Sequence, residues 1–517
     1  MTTQRATAEP GMFCLVLHSH LPWLPHHGRW PVGEEWLYQS WASSYLPVFD
    51  VLRELADEGR ENLLTLGITP VLAAQLDDPY ALDGMHHWLG DWQLRAHEAA
   101  ADPALGDLGA REHRGAARAL ETFETRWRHG ASPPIRELVD ARTVELLGGP
   151  LAHPFQPLLH PRLREFSLTE GLADARQRWG SAPRGIWAPE CGYTPGLENL
   201  YARSGVEHFM VDGPALHGDS ALGRPVRESG VVAFGRDLPV SYRVWSPKSG
   251  YPGHAAYRDF HTYDHGTGLK PARVTGRHIA SDAKAPYDPL LAERALGRHV
   301  DDFVETVRAR LRDESERLGR PALVVAAFDT ELFGHWWHEG PQWLGQVLRA
   351  LGDAGVRIGT LAQARDDGYV GAPVDLEDSS WGSGKDWRVW AGDQVADLVT
   401  LNSEVVSTAL DSVDKAFDSA AAHGHSRLRD RVADQILREA LLTVSSDWAF
   451  MVSKDSAAGY ARDRAHKHAH ATREIADALA RGKRSQAERL AAGWHLADGL
   501  FPGLDARRLG SRGSGDL

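Results

Sequence analysis

Five apolar runs in the 517-residue sequence end in side chains able to move protons, bind hydroxyls or ligate a metal. Residues 13–17 run into His18-Ser19-His20-Leu21-Pro22-Trp23, and residues 144–147 lead to Gly149-Pro150-Leu151-Ala152-His153-Pro154. Residues 184–187 are followed by Ala188-Pro189-Glu190-Cys191, residues 208–211 by Asp212-Gly213-Pro214, and residues 322–328 by Asp329-Thr330-Glu331. His18 and His20, two apart, point to one side of an extended strand. They suit metal ligation if a third ligand joins them, or hydroxyl binding as neutral rings. Glu190 follows a proline at the end of its run, so its carboxylate is expected at a pocket edge. Asp329 ends the most apolar run, either as a helix N-cap or as a partly buried acid with a displaced pKa. Two carboxylates across one pocket, with Trp and His around them, suit glycoside chemistry. In a retaining mechanism one attacks the anomeric carbon and the other protonates the leaving oxygen, roughly 5–5.5 Å away. Burial and like-charge repulsion keep the second protonated while the first is ionised.

Strands must place these groups. Residues 13–17, 63–68, 144–147, 184–187, 208–211, 322–328 and 356–358 read as strands, with amphipathic helical stretches between them. Such alternation gives a parallel sheet covered by helices. Neither GxGxxG nor GxxxxGK[ST] follows any of the runs, which favours a barrel over a nucleotide-binding sheet. Barrel active sites lie at the C-terminal ends of the strands, where the polar residues above would converge. Residues 1–78 and 135–392 are expected to form the barrel, with residues 79–134 as a helical inserted subdomain. Residues 216–289, rich in Gly, Pro and Tyr, read as long loops over one face. Residues 393–503 hold no strand-like run and are expected to be an all-helical C-terminal domain, followed by a disordered tail over 504–517. On one of those helices His466, His468 and His470 read as a solvated face.

The composition is that of a globular protein, 42% hydrophobic and 25% charged, with a formal net charge of −13 that offers no basic field to nucleic acid or anionic lipid. Two cysteines, Cys14 and Cys191, exclude a disulfide framework. No apolar run is long enough to span a membrane and residues 1–10 lack a signal-peptide core, so a cytoplasmic protein is expected. The 18 Trp and 26 His are well above ordinary usage, and Trp faces suit stacking on sugar rings as well as filling cores.

These residues carry a resemblance to glycoside hydrolase family 57. His18-Ser19-His20-Leu21-Pro22 matches its first motif and Gly148-Gly149-Pro150 to His153 its second. Trp187-Ala188-Pro189-Glu190 is similar to the third motif, and Phe328-Asp329-Thr330-Glu331 to the fourth. Within the family the chain looks most like the 1,4-α-glucan branching enzymes, through Val244-Trp245-Ser246, Gly250-Tyr251-Pro252-Gly253, Trp381-Gly382, Trp387-Arg388-Val389-Trp390 and Ser445-Ser446-Asp447-Trp448. The resemblance implies a (β/α)7 barrel, no metal or other cofactor, an α-glucan substrate, and double displacement with retention. Glu190 takes the nucleophile position and Asp329 the acid/base position. Arg258, Gly276, Trp381, Trp390 and Asp447 match positions that contact glucan, and His18, His20, Trp23 and His153 are expected to line the substrate pocket. The family's mobile loop carries a tyrosine at its tip, for which Tyr242 and Tyr251 are the candidates. Lys270-Pro271-Ala272-Arg273 departs from an aromatic pair in many relatives, implying an altered donor or acceptor site. The expected activity is transfer of a cleaved α-1,4 segment to a 6-hydroxyl. The alternatives are a 4-α-glucanotransferase or α-amylase using the same residues, a metal-dependent carbohydrate deacetylase using His18, His20 and an acid, and a non-catalytic glucan binder.

Overall fold

A computed structural model describes residues 11–246, 249–422 and 428–510. Its strands are β1 (Met12–Ser19), β2 (Leu64–Ile68), β3 (Val144–Gly148), β4 (Gly185–Ile186), β5 (His208–Val211), β6 (Arg224–Pro225), β7 (Val232–Gly235), β8 (Leu323–Asp329) and β9 (Arg357–Gly359). They pair in the order β6-β7-β5-β4-β3-β2-β1-β8, with β9 beside β1. Every pairing is parallel except the short β6–β7 one. The Asp237 N–H donates to the Val325 carbonyl at 2.8 Å, carrying the chain after β7 across to β8 and closing the ring. Seven strands (β1 to β5, β7 and β8) thus form the (β/α)7 barrel.

The expected membership of that ring needs one correction. Residues 356–358 read as a barrel strand in the sequence, but among the described residues β9 pairs with Met12–Cys14 at the start of β1 alone, and β2 takes up the same side from Val16 onward. The true member is β7, a four-residue strand inside the segment read as loops. Its short apolar run is hidden between Gly230 and Gly235, and it becomes a strand by pairing with β5.

All eight residues of β1 are buried, as befits a parallel strand with helices or side chains on both faces. Its register sets His18 opposite both Gly67 of β2 and Asp329 of β8. The two-residue β4 passes close over β5: a Cβ at Gly185 would overlap the His208 imidazole, which bonds Glu145 at 2.7 Å. The helix after β1 runs from Glu34–Ser40 through a π-helical turn, Trp41–Tyr45, into Leu46–Asp57. Such turns often mark functional sites, and this one faces the end of β8.

Helices Pro79–Ala100 and Gly106–Thr122 fill most of the expected insertion. Beyond the barrel lie helices Ala396–Ala422, Arg431–Thr443, Ser446–Ser453, Ala458–Ala480 and Arg484–Ala497. One apolar cluster joins them to Trp23, Leu151 and Phe155, which lie in the loops after β1 and β3. The C-terminal helices therefore cover the barrel end where the polar residues emerge.

Two further expectations are overturned here. His466 and His470 are exposed, but His468 is fully buried and its Nδ1 lies 2.9 Å from Glu439. Next to it His27, from the loop after β1, meets Asp498 at 2.6 Å. The acids that bury His468 come from neighbouring helices, so its own helix shows no sign of them. The first part of the expected disordered tail is packed: Leu504, Asp505, Ala506 and Leu509 are buried, and Arg508 pairs with Glu170 at 2.8 Å. Residues 511–517 lie outside the described residues. No helix among the described residues is long and apolar enough to cross a membrane.

Candidate active site

At the C-terminal end of the barrel, His18 stacks on Trp187 with ring centroids 4.3 Å apart and planes within 11°. The His20 ring lies 3.7 Å from that of His153, which in turn is 5.2 Å from His18. Three imidazoles from the ends of β1 and β3 thus form one wall. Burial, reinforced by the neighbouring rings, holds His18 and His153 well below the ordinary histidine pKa, so both are neutral. For His20 burial acts in the same direction but is outweighed by Asp447, Glu190 and Glu331, and its pKa lies above the usual value. Its Nε2 meets Asp447 at 2.9 Å and its Nδ1 meets Thr69 Oγ1 at 3.0 Å.

Glu190 follows β4 with φ 61° and ψ 19°, a left-handed conformation uncommon for residues other than glycine. Its carboxylate is gripped at both oxygens. Ser446 Oγ donates to Oε1 at 2.7 Å and the Trp381 indole N–H donates to Oε2 at 2.9 Å. Asp329 approaches from β8, across the ring from β4, and among the described residues its carboxylate makes no hydrogen bond. Burial pushes both acids up, Glu190 to about 7 and Asp329 to about 6. A carboxylate accepting two donors ionises more readily than the same group without them. The two donors offset part of the rise at Glu190 without bringing it below Asp329; what separates the two acids is that Glu190 is held in one orientation at both oxygens and Asp329 is not.

Behind Asp329, the buried Glu331 accepts the His20 backbone N–H at 3.1 Å and the Tyr45 hydroxyl. Burial, with Asp329 adding like charge, raises it to about 8. On the far side Arg236, just after β7, lies 5.5 Å over the Trp381 ring and bonds Asp212 at 2.8 Å. Lys385 reaches the other Asp212 oxygen at 2.6 Å. The two cations keep Asp212 paired, and Arg236 also opposes the burial of Asp329.

Residues 14–364 match the profile of glycosyl hydrolase family 57, and residues 409–508 match that of the 1,4-alpha-glucan branching enzyme C-terminal region. The chain belongs to glycosyl hydrolase family 57. It is 69% identical to a probable 1,4-alpha-glucan branching enzyme of Mycobacterium tuberculosis, across 98% of this chain and 99% of that protein. Its fold is similar to the crystal structure of a family 57-type branching enzyme from Pyrococcus horikoshii, with TM-score 0.89, 29% identity and 97% of each chain covered. It is also similar to that of the alpha-amylase AmyC from Thermotoga maritima, with TM-score 0.83, 26% identity, and 96% of this chain and 98% of that one covered.

Within this family 57 site, His18, His20, His153, Glu190, Asp329, Trp381 and Asp447 come together. Four other expected substrate contacts bond or pack elsewhere among the described residues. Trp23 is 2% exposed, its indole N–H donates to the Ala497 carbonyl at 3.1 Å, and its own carbonyl accepts from Arg464 at 2.7 Å. Trp390, also 2% exposed, stacks on Phe155 at 4.6 Å. Both are packing residues of the cluster that docks the C-terminal helices. Arg258 is buried against the inserted helices, donating to Glu112 at 2.7 Å and to the Lys270 carbonyl at 2.8 Å. Gly276 lies in the neighbouring turn, its carbonyl accepting from Ile279 at 3.3 Å. Tyr251, a candidate loop tip, is buried with its hydroxyl on Asp302 and its ring stacked on His299, while Tyr242 is exposed on helix Leu238–Val244. Lys270, from the departing tetrapeptide, sets its ammonium 3.9 Å over Phe260, and burial lowers it to about 7.

A metal reading shifts its ligands. The donor atoms within 4.8 Å of one another belong to His20, His153 and Asp447, not to His18. In the structure His20 Nε2 meets Asp447 of the same set and His153 Nδ1 meets Ser446 at 2.9 Å, while His153 Nε2 has no protein partner among the described residues. Sequence reasoning missed Arg236, Ser446 and Tyr45 as parts of the site. Arg236 had a readable signal, because Val231-Val232-Ala233-Phe234-Gly235-Arg236-Asp237 repeats the pattern of an apolar run ending in charge. Ser446 stands in the Ser445-Ser446-Asp447-Trp448 segment that carries the resemblance, but its contact with Glu190, 256 residues away, has no mark in the sequence, and neither has that of Tyr45 with Glu331, 286 residues away.

Proposed function

We propose that this chain is a 1,4-α-glucan branching enzyme working by retaining double displacement. The observation that carries the reading is the unequal pair of acids: Glu190, with a donor on each oxygen, across the ring from Asp329, which has none among the described residues. Glu190 attacks the anomeric carbon while Asp329 gives its proton to the departing glycosidic oxygen. The α-1,4 bond breaks and a glycosyl ester forms on Glu190. Asp329, now ionised, takes the proton from the 6-hydroxyl of an acceptor chain, whose oxygen attacks the same carbon and releases Glu190. The neutral rings of His18 and His153 offer nitrogens to sugar hydroxyls, and the Trp187–Trp381 corner, with centroids 5.0 Å apart, offers aromatic faces. The C-terminal helices over the barrel mouth limit the access of water to the ester, which favours transfer over hydrolysis.

Amylose incubated with the purified chain should gain α-1,6 linkages, counted by proton NMR, with few new reducing ends. The likeness to the T. maritima alpha-amylase supports a second reading, hydrolysis at the same two acids. New reducing ends without α-1,6 linkages would establish that reading. No turnover, with activity restored by added divalent metal after chelation, would move the chemistry to the His20–His153–Asp447 set.

A further inference from the structure

We infer that Ser446, from a helix outside the barrel, is a positioning residue that orients Glu190 and keeps it ionised through a relay from His153. The inference rests on Glu190 being the nucleophile, as proposed above. Ser446 opens helix Ser446–Ser453, and its place is fixed by backbone contacts with the loop after β3. Its N–H donates to the His153 carbonyl at 3.0 Å, and Ser445 forms a bridge with Pro154. The Ser446 side chain is buried, 2.7 Å from Glu190 Oε1 and 2.9 Å from His153 Nδ1.

A hydroxyl has one proton to donate. With Glu190 ionised, that proton points to Oε1, so the contact with His153 must run from Nδ1–H to Ser446 Oγ. The tautomer of His153 follows: Nδ1 carries hydrogen and Nε2 is a bare acceptor, buried and without a protein partner. One relay therefore has two outputs, an oriented Glu190 and a free His153 nitrogen for a sugar hydroxyl. Without Ser446, His153 Nδ1 does not take its place, lying 4.0 Å from Oε1, beyond hydrogen-bond reach. Trp381 does not replace it, because its indole holds the other oxygen. The left-handed backbone at Glu190 makes this grip more consequential, since the local chain conformation is itself an unfavourable one.

The charged and titratable groups that face Glu190 are His20 from β1, His153 after β3, the adjacent Cys191, Asp447 beside Ser446 and, across the ring, Asp329 at the end of β8. Ser446→Ala leaves these groups in place, takes the partner from His153 Nδ1 and removes a donor that favours the ionised carboxylate. The sign follows: Glu190 must gain its proton more readily, so the acidic limb of kcat/KM moves to higher pH.

The experiment uses the full chain with Ser446→Ala and Ser446→Thr, reading amylose branching from pH 4.5 to 9 alongside Tm. For the alanine variant, kcat should fall about 10- to 100-fold, the worth of one hydrogen bond to a charged group, with KM little changed. Its acidic limb should rise by about one pH unit, and the threonine variant should return it toward the wild-type position. An unmoved limb accompanied by a lower Tm would mean that Ser446 only anchors its helix, and would overturn the inference. If the wild type does not act on amylose, the proposed function fails separately. A carbon-13 titration of the Glu190 carboxyl in wild type and Ser446→Ala then decides, and an unchanged midpoint overturns the inference.

Discussion

Glu190 is buried and Asp329 half-buried, and they differ mainly in what donates to them. That difference predicts distinct failures. Glu190→Gln should abolish turnover while leaving Tm near the wild-type value, because an amide cannot form the glycosyl ester; near-normal branching would remove Glu190 from the mechanism. Asp329→Asn should slow both steps, and added azide, which needs no base, should partly restore release from an activated donor. Substantial activity in Asp329→Asn with no azide effect would count against the acid/base role. Glu331 yields a stability prediction with a defined sign. Its pKa is raised to about 8 in the fold, above the ordinary value of 4.5, so between those limits the folded chain holds a proton that the unfolded chain releases. Its contribution is complete below about 4.5 and is lost as the pH rises through about 8. Glu331→Gln keeps the acceptor for Tyr45 and His20 but cannot ionise. The Tm of the variant should therefore gain on that of the wild type by roughly a few degrees between pH 5 and pH 9. A constant difference would show that Glu331 does not titrate in this window.

Short elements carry the site. The eight-residue helix Ser446–Ser453 places Ser446 on Glu190 and Asp447 on His20, and the π-helical turn Trp41–Tyr45 sets Tyr45 on Glu331. Asp447 does not cap its helix; its carboxylate accepts from Ser445 Oγ at 2.6 Å and pairs with His20, and although burial opposes its ionisation, His20 holds it at about 2. With Asp447→Ala, burial is left to dominate His20, whose pKa should fall from above the ordinary value to below it. Titration of the His20 ring protons by NMR reads this directly, with a large loss in kcat/KM expected alongside it. A His20 midpoint that stays in place would show that Asp447 is not its counter-charge.

For the molecule as a whole, docking of the C-terminal helices completes the catalytic end of the barrel. Trp23 lies three residues beyond His20 in the docking cluster, and Trp23→Ala should cost about 3–5 kcal/mol, the usual range for emptying a buried Trp site. Its effect should appear in Tm and denaturant midpoint, with KM for amylose nearly unchanged in the folded fraction. A tenfold rise in KM at unchanged Tm would restore Trp23 to the substrate contacts. The sequence alone determined where chemistry-bearing residues meet apolar runs, because a strand and the polar residues at its end are adjacent in the chain. Glu190, Asp329, His18, His20 and His153 were legible for that reason, as were six of the seven barrel strands. Strand β7 was not, since four residues among glycines acquire strand character only by pairing with β5. Only the tertiary structure decided which aromatics face the pocket and which fill the docking cluster. Trp381 and Trp390 lie nine residues apart with the same chemistry, yet one holds Glu190 and the other stacks on Phe155. The same holds for His468 and Ser446: whether a side chain meets solvent, an acid or Glu190 depends on the surface packed against it, and that surface comes from distant parts of the chain.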